Sequence, residues 1–169
     1  MNRTRPLARG GFSIIEAAVA TAILGVGILA LVSAVAASST ANVKASELTS
    51  AVFLAQEIRE WTARLPFTDP DESTNVPVGP DGQSPQVFVD DLDDLMDVTF
   101  SPPRDGTGQQ MMDMTGWSQT IRMTWRKGDN LEEVVQPGQS DIIFVHVTIS
   151  KNGRVVHKTG WFAVRRPEQ

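Results

Sequence analysis

Glu16 is the only charged residue between Arg9 and Lys44, in a stretch of otherwise apolar and small side chains. A carboxylate at the bilayer centre costs about 2.5–3.5 kcal/mol, and less near the interface, so a membrane segment that keeps one requires an explanation. One explanation is local. The sequence SIIE, from Ser13 to Glu16, has the capping-box pattern, in which the serine caps a helix and the glutamate reaches back. Glu16 is therefore the first candidate functional residue.

A second group of carboxylates lies in the sequence VDDLDDLMD. Its acidic residues are Asp90, Asp91, Asp93, Asp94 and Asp97. Calcium prefers clustered carboxylates, but the EF-hand spacing fails, because no glycine follows at the required place and Leu95 replaces a ligand. We therefore predict a solvated acidic turn, and calcium binding stays open as the alternative.

The chain has two histidines, His146 and His157, and no cysteine. A zinc site would need carboxylates to complete it. In the predicted hairpin both histidines fall on one face of adjacent strands, which we interpret as a polar sheet surface. The sequence contains no serine–histidine–aspartate spacing, phosphate loop or paired catalytic carboxylates, so we expect no enzymatic activity and no cofactor.

Charge is distributed unevenly along the chain, whose formal net charge is −5. The first eleven residues carry three arginines and no acid. Residues 69–113 carry eleven acidic residues and one basic residue, whereas residues 114–169 carry eight basic and five acidic residues. This distribution suits self-association, partner docking or a solvated acidic loop, and it does not favour nucleic-acid binding.

One long helix is predicted from about Ser13 to Leu65. Its first part, Ile14 to Ala37, is apolar over 24 residues, and at 1.5 Å per residue this gives roughly 36 Å of helix against a hydrocarbon core of about 30 Å. The arginines precede this part, so the positive-inside rule places the N-terminus in the cytoplasm. The apolar run is too long for an ordinary signal peptide, and we expect it to be retained.

The second part of the predicted helix is amphipathic. Pro66 ends its pattern, because the residue before a proline is pushed out of helical geometry. The apolar stripe consists of Val43, Leu48, Val52, Ala55, Ile58, Trp61 and Leu65. This stripe must be buried against something, and the rest of the chain is the obvious candidate.

The remainder of the chain is predicted to contain loops followed by strands. Prolines and Asp-Gly pairs mark turns in residues 66–116. Within this region PQVFVDD is predicted to be a short edge strand, and DDLDDLMD one or two helical turns with its apolar residues inward. In residues 117–169, WSQTIRMTW alternates between apolar and polar side chains, as a half-buried strand does.

A β-hairpin is predicted around Asn152 and Gly153, because a type I′ turn needs two residues that tolerate positive φ. The predicted register pairs Ile149 with Val156, Ile143 with Phe162, and Phe144 with Trp161. The expected fold is therefore α+β, with the long N-terminal helix packed on a small antiparallel sheet of three or four strands. The four tryptophans are most simply core residues.

The sequence RGGFSIIEAAVATAILG, residues 9–25, resembles the start of type IV pilin-like proteins, which include the pilins and the pseudopilins of type II secretion. Family members have a short basic leader that ends in glycine, here Gly11. An apolar residue follows, here Phe12, and a glutamate four residues later, here Glu16, and a helix glycine corresponds to Gly25. Beyond about Leu65 the resemblance is architectural.

The resemblance implies that a prepilin peptidase cuts between Gly11 and Phe12 and methylates the new amine of Phe12. Glu16 would neutralise that amine, in the family on a neighbouring subunit during assembly. The implied partners are the peptidase, other pilin or pseudopilin subunits and an inner-membrane assembly platform, with no nucleic acid. The implied localisation is the bacterial inner membrane, with a single span and the C-terminal domain in the periplasm, and then a filament.

Departures from the family pattern favour a minor subunit. Many major pilins have a proline where this chain has Ser33, and many close a C-terminal loop with a disulfide, whereas this chain has no cysteine. The segments AILGVGILALVSAVAAS and LAQEIREW are similar to pilus-modification minor pilins and to the minor pseudopilin of the I class. Pilus, secretion and DNA-uptake machines stay open as alternatives.

The implied organisation has five parts: 1–11 a cleaved basic leader, 12–38 a transmembrane helix, 39–65 its amphipathic continuation, 66–116 a variable region rich in Pro, Gly and Asp, and 117–169 the sheet. Two alternatives to the pilin-like hypothesis are a signal-anchored envelope protein with a periplasmic binding domain and an envelope enzyme. Cleavage after Gly11 distinguishes the first of these from a pilin-like subunit.

Overall fold

The computed structural model of the protein describes residues 11–67, 79 and 84–166. One long apolar helix precedes a five-stranded antiparallel sheet, as expected for an α+β layout. The elements are α1 (Ile14–Arg64), a 3₁₀ turn (Asp93–Leu95), β1 (Thr99–Phe100), β2 (Trp117–Lys127), β3 (Asn130–Val135), β4 (Ile142–Lys151) and β5 (Arg154–Val164). The helix predicted from Ser13 to Leu65 is thus present within one residue at each end.

The chain divides into two compact units, Met1–Ala45 and Ser46–Gln169. In the first unit, every described residue is exposed. The hydroxyls of Thr21 and Thr40 donate hydrogen bonds to the carbonyls of Ala17 and Ala36, at 2.8 and 3.0 Å. These bonds satisfy two polar side chains within the helix itself, as a segment in hydrocarbon requires. The helix is long and apolar enough to span a membrane.

In the second unit, one face of α1 enters the core. Its buried residues are Ala51, Leu54, Ala55, Ile58, Trp61 and Thr62. The predicted stripe is correct at Ala55, Ile58 and Trp61, and Leu65 at its end is partly buried. It is wrong at its start, where Val43, Leu48 and Val52 are 57%, 47% and 48% exposed. The buried face is rotated toward Ala51 and Leu54, which are both 0% exposed.

An ion-pair cluster joins α1 to the turn between β4 and β5. The carboxylate of Glu47 accepts a hydrogen bond from the guanidinium of Arg154, and its other oxygen lies 3.3 Å from Nζ of Lys151. The hydrogen bond from Arg154, and then that from Lys151, lower the pKa of Glu47. Both cations therefore hold this carboxylate in its charged form.

The sheet has the order β1-β2-β4-β5, and β3 pairs with β2. The alternation predicted for β2 is confirmed, since Trp117, Ile121, Met123 and Trp125 are all buried. Three of the four tryptophans are core residues, whereas Trp161 on β5 is only partly buried. The sequence did not indicate β1 or β3, which bring the sheet to five strands.

The hairpin between β4 and β5 has the predicted turn but not the predicted register. Asn152 and Gly153 both have positive φ, at 49° and 77°. The register shifts between Ile149 and Ser150, so that Ile149 pairs with His157 instead of Val156. As a consequence, the partner of Ile143 is Ala163 and the partner of Phe144 is Phe162. A β-bulge adds one residue to one strand and changes the register beyond it.

The segment before β1 also differs from the prediction. No strand forms in the described part of PQVFVDD, which contains a turn and irregular backbone. The acidic sequence after it makes a single 3₁₀ turn, and Leu92 and Leu95 are buried as expected, at 2% and 0% exposure. Met96 packs against the core while partly exposed.

A glycine-containing loop covers the end of the helix in the second unit. The N–H of Gly106 donates a hydrogen bond to Oε2 of Glu57, and Gly108 lies against the indole of Trp61. Gly108 has φ +82°, and a Cβ atom there would lie 2.8 Å from a ring carbon of Trp61. The position therefore requires glycine for both backbone conformation and space.

Replacing Gly108 with alanine is expected to lower the free energy of unfolding by about 2–3 kcal/mol, from backbone strain together with overpacking against Trp61. Gly153→Ala is the matched control, because Gly153 also has positive φ but a Cβ there meets nothing within 4 Å. Tryptophan fluorescence during denaturant unfolding measures both variants. Equal losses of stability would show that contact with Trp61 is unimportant.

Candidate functional site

The residues singled out at the N-terminus occupy the start of α1. Gly11, Phe12 and Ser13 precede the helix, and the Phe12 side chain is 84% exposed. The backbone N–H of Ile15 donates a hydrogen bond to Oγ of Ser13 at 3.3 Å, so the predicted serine cap is present. The helix therefore begins immediately after the Gly11–Phe12 junction, and one N-terminal donor is satisfied by the serine.

Glu16 lies in the first turn of α1 and is exposed. Among residues 11–67, 79 and 84–166, no hydrogen bond or ion pair involves its carboxylate, so the reaching-back half of the capping box is not formed there. A carboxylate in the first turn still benefits from the positive end of the helix dipole. That benefit is small compared with the cost of placing an unpartnered charge in hydrocarbon.

Gly25 and Gly27 lie further along the same exposed segment. A Cβ atom at either position meets nothing within 4 Å in the described structure. Glycine in a helix interior costs about 1 kcal/mol relative to alanine. Packing within the described part of the chain therefore does not explain either residue.

The acidic segment forms a second candidate site, and the prediction of a solvated turn is wrong. Asp91, Asp93 and Asp94 are only 5%, 5% and 3% exposed. The Asp93 carboxylate accepts a hydrogen bond from the N–H of Gly79 at 2.7 Å, and that of Asp94 accepts one from the N–H of Asp90 at 3.1 Å. Backbone donors thus bind the buried carboxylates in place of water.

Asp91 is the carboxyl group most affected by this burial. Its Oδ1 accepts a hydrogen bond from the N–H of Asp94 at 3.1 Å. Burial, and secondly the adjacent carboxyl of Asp93, raise the pKa of Asp91 to about 8. Removing a carboxyl from water and placing another beside it both disfavour the charged form. Asp91 is therefore protonated in the folded protein at neutral pH.

The stability of the protein is expected to fall as the pH rises from about 5 to 8. The folded pKa of Asp91 lies above the unfolded value of 3.8, so the folded state holds a proton that the unfolded state has released. Stabilisation by this proton is complete below about pH 4 and disappears as the pH passes the folded pKa. Asp91→Asn keeps the acceptor for Asp94 and cannot ionise. Its free energy of unfolding relative to the wild type should therefore rise with pH between pH 5 and pH 8, by at most about 1.4 kcal/mol per pH unit.

Urea unfolding at pH 5, 6, 7 and 8 measures this effect. Asp97→Asn is the matched control, because Asp97 belongs to the same acidic sequence but its side chain is 62% exposed, 3.4 Å from Arg122. Asparagine also tolerates the positive φ of that position, which is 56°. Parallel stability profiles for the wild type and Asp91→Asn would contradict the assignment of a proton to Asp91.

The two histidines do not lie on one face, which corrects the prediction. His146 is exposed beside Phe144, with ring centroids 5.8 Å apart, on the face of the sheet opposite to the core. His157 pairs with the buried Ile149 and therefore lies on the core face. The register shift beside Ile149 causes the difference. In the part of the chain that the structure describes, no three His, Cys, Asp or Glu residues are placed to bind a metal ion.

A shallow open groove lies between α1 and β5 in the second unit, with a volume of about 100 Å³. It is lined by Val52, Ala55, Gln56 and Arg59 of the helix and by His157, Thr159, Gly160 and Trp161 of the strand. The lining contains no acidic residue. The sequence did not indicate this groove, because the groove depends on the register of β5.

Gln119 is the structural residue that the sequence analysis missed. It is fully buried, on the core face of β2. Its Nε2 donates hydrogen bonds to the carbonyls of Leu54 and Arg104, both at 2.9 Å, and its Oε1 accepts one from the N–H of Arg104 at 2.6 Å. The sequence did contain a sign of this role, because Gln119 is a polar residue at an inward position of the strand, between Trp117 and Ile121.

No protein-family model, curated protein or solved structure matches this chain. The features that bear on function are therefore those of its own residues. Gly11, Phe12 and Glu16 are the predicted site residues that lie close together, the first two just before α1 and Glu16 in its first turn, and all three are exposed. The acidic segment and the histidines lie elsewhere in the chain.

Proposed function

We propose that this protein is a structural subunit of a type IV pilin-like assembly, a minor pilin or a minor pseudopilin of type II secretion. One observation carries the proposal: Glu16 lies in the first turn of an exposed apolar helix, without a partner among the described residues, four residues after Phe12. A charge in this position is costly unless another group neutralises it.

Cleavage between Gly11 and Phe12 would provide such a group. It would convert the backbone nitrogen of Phe12 into a cationic amine at the start of the same apolar segment. The resemblance of residues 9–25 to prepilins supports a prepilin peptidase as the enzyme and Phe12 as the methylated residue. A charge-assisted contact of this amine with Glu16 of a neighbouring subunit would be strong, because it forms in a medium of low dielectric constant.

The exposed part of α1 supports the proposed membrane and filament locations. Every described side chain in residues 11–46 is exposed, and the large apolar ones are 53–90% exposed up to Val35. Such a surface is stable only in lipid or against other apolar helices. Gly25 and Gly27, which have no neighbours within the described chain, would allow close approach of a second helix.

The second unit, Ser46–Gln169, is a compact domain that would lie in the periplasm. Its core forms without disulfides, through the buried face of α1 and the inner residues of β2 and β4. The absence of cysteine and the serine at position 33 favour a minor subunit over a major one. The proposed path runs from the inner membrane, with the N-terminus cytoplasmic, to a filament built with other subunits on an assembly platform.

The mass of the intact protein, extracted from the inner membrane of cells that contain a prepilin peptidase, tests the proposal. The expected chain begins at Phe12 and carries one methyl group. Gly11→Val should remain full length, whereas Gly10→Ala, the matched control, should be processed normally. A full-length wild-type chain would contradict the proposal and favour a signal-anchored envelope protein with a periplasmic binding domain.

A further inference from the structure

The groove between α1 and β5 is lined by side chains that can donate hydrogen bonds and have no partner. In the part of the chain that the structure describes, no hydrogen bond or ion pair involves the side chains of Gln56, Arg59, His157, Thr159 or Trp161. Their amide, guanidinium, hydroxyl and ring N–H groups offer many donors, and Arg59 also offers a fixed positive charge. Because the lining contains no carboxylate, the groove is complementary to an anionic acceptor.

The size and the walls of the groove indicate what kind of anion would fit. Its volume of about 100 Å³ is below the roughly 300–1,000 Å³ of small-molecule pockets. Val52 in its lining is 48% exposed, and Trp161, unlike the other three tryptophans, is only partly buried. A carboxylate side chain with an apolar neighbour, presented by a protein surface, would occupy both the charged and the apolar part of this groove.

The loop before β2 carries such a pair of side chains, at Met112 and Asp113. Met112 is 70% exposed, although methionine is apolar and packs well against aromatic rings. Asp113 is exposed, and no hydrogen bond or ion pair involves its carboxylate among residues 11–67, 79 and 84–166. Several other exposed carboxylates of the second unit already have cationic partners: Asp97 with Arg122, Glu133 with Lys127, and Asp141 with Arg165.

The groove and this loop lie on opposite sides of α1 within the second unit. Arg59 lines the groove beside β5, whereas Gly106 of the loop donates a hydrogen bond to Glu57. At about 100° per residue, Glu57 and Arg59 project to either side of the fully buried Ile58. Two copies placed side by side in the same orientation would therefore bring the loop of one copy toward the groove of the other.

We propose that the Met112–Asp113 segment of one copy docks in the groove between α1 and β5 of a second copy. The Asp113 carboxylate accepts hydrogen bonds from the guanidinium of Arg59, a planar group suited to bidentate binding of carboxylates. The thioether of Met112 packs against the indole of Trp161. The contact breaks no ion pair that the structure describes, because Arg59 and Asp113 are unpaired within the described residues of the single chain.

This contact is heterologous, because it joins two different surfaces, and it can repeat along an assembly. It goes beyond the proposed function, since it involves only the second unit and requires neither cleavage after Gly11 nor the charge of Glu16. Full-length protein in detergent, from cells without a prepilin peptidase, tests it independently of that proposal. Either proposal can therefore fail while the other holds.

Chemical cross-linking between two single-cysteine variants tests the contact, because the chain has no cysteine of its own. Val52→Cys places a thiol in the groove and retains its donors, and Thr115→Cys places one at an exposed position two residues after Asp113. The two proteins carry different tags, are mixed and are treated with a short bismaleimide. The cross-linked 52–115 pair should exceed the control by about tenfold, the factor that one charge-assisted hydrogen bond provides.

The control mixture combines Thr115→Cys with Val134→Cys. Val134 is also an exposed valine, at 58%, but it lies on β3, which pairs with β2, whereas the groove adjoins β5. Association through the apolar part of α1 would raise both yields equally and cannot produce the difference. A 52–115 yield no greater than that of the control would overturn the proposal. Circular dichroism of each variant before mixing establishes that the proteins compared are folded.

Charge reversal tests the pairing of Arg59 with Asp113. Arg59→Glu in the Val52→Cys protein should reduce the 52–115 yield to the control level, and Asp113→Arg in the Thr115→Cys partner should then restore it. Lys158→Glu is the matched control, because Lys158 is an exposed cation on β5 that does not line the groove. This control should leave the yield unchanged.

Three outcomes would contradict the pairing. A yield that Arg59→Glu leaves unchanged would reject it directly. An equal loss in Lys158→Glu would attribute the effect to the overall charge of the domain. Restoration by Glu132→Arg, but not by Asp113→Arg, would assign the groove to a different acidic segment and would likewise overturn the proposal.

Discussion

Replacing Gln119 with leucine is expected to lower the free energy of unfolding by about 3 kcal/mol, because several buried polar groups would lose their partners together. The amide of Gln119 is bound by a helix carbonyl at Leu54 and by both backbone groups of Arg104. Leucine has similar volume and would fill the space without offering a donor or acceptor. The N–H and the carbonyl of Arg104 would lose these partners in a site that excludes water, whereas the carbonyl of Leu54, in the middle of α1, would keep only its helical hydrogen bond.

Gln136→Leu is the matched control, since it makes the same chemical change at an exposed position. Denaturant unfolding, followed by fluorescence of the buried tryptophans, compares the two variants with the wild type. The control should change stability by less than about 0.5 kcal/mol. A Gln119 variant as stable as its control would mean that water or a shifted backbone replaces the lost bonds.

The role of Gln119 shows what a periodic sequence pattern can predict and what it cannot. Alternation in residues 117–125 predicts β2 and its buried face, and the structure confirms both. The same alternation places Gln119 inward, but the role of a polar residue in that position cannot be predicted until its hydrogen-bond partners are known. Those partners come from residues 54 and 104, which no local pattern connects to the strand.

Two errors have similarly physical origins. The bulge beside Ile149 moves His157 to the core face, and a bulge is a local backbone event that an alternating pattern cannot locate. The acidic sequence was predicted to be solvated because carboxylates are rarely buried. Its burial depends on the N–H groups of Gly79, Asp90 and Asp94, and such backbone donors are invisible in composition.

The N-terminal site presents the opposite case. Gly11, Phe12 and Glu16 remain a predicted site, and they could be singled out in the sequence because their proposed roles depend on spacing along the chain and not on tertiary contacts. The structure adds the Ser13 cap and the exposure of the whole segment. It also distinguishes helix capping from the role of the Glu16 charge, because the hydroxyl of Ser13 caps the helix and Glu16 takes no part in that hydrogen bond.

Glu16→Ala is expected to reduce incorporation of the protein into filaments by about tenfold or more while leaving cleavage after Gly11 intact. The loss corresponds to one charge-assisted contact, worth roughly 1.5–3 kcal/mol, with the amine of Phe12 on a neighbouring subunit. Glu16→Gln retains the shape and length of the side chain and should behave like alanine, because the charge is the property that matters. Quantitative immunoblotting of sheared filaments, normalised to processed protein in the membrane, measures incorporation.

Ser13→Ala is the matched control for this prediction. It removes the hydroxyl that accepts a hydrogen bond from Ile15, at a cost of about 1 kcal/mol to the helix end, and leaves Glu16 unchanged. Incorporation of this variant should remain near the wild-type level if Glu16 acts through its charge. Normal incorporation of both Glu16 variants would remove the pairing role. If Ser13→Ala reduced incorporation as much as Glu16→Ala, the loss would come from a weakened helix start and not from the missing charge. Both changes affect the first turn of the helix, but only Glu16→Ala removes a charge.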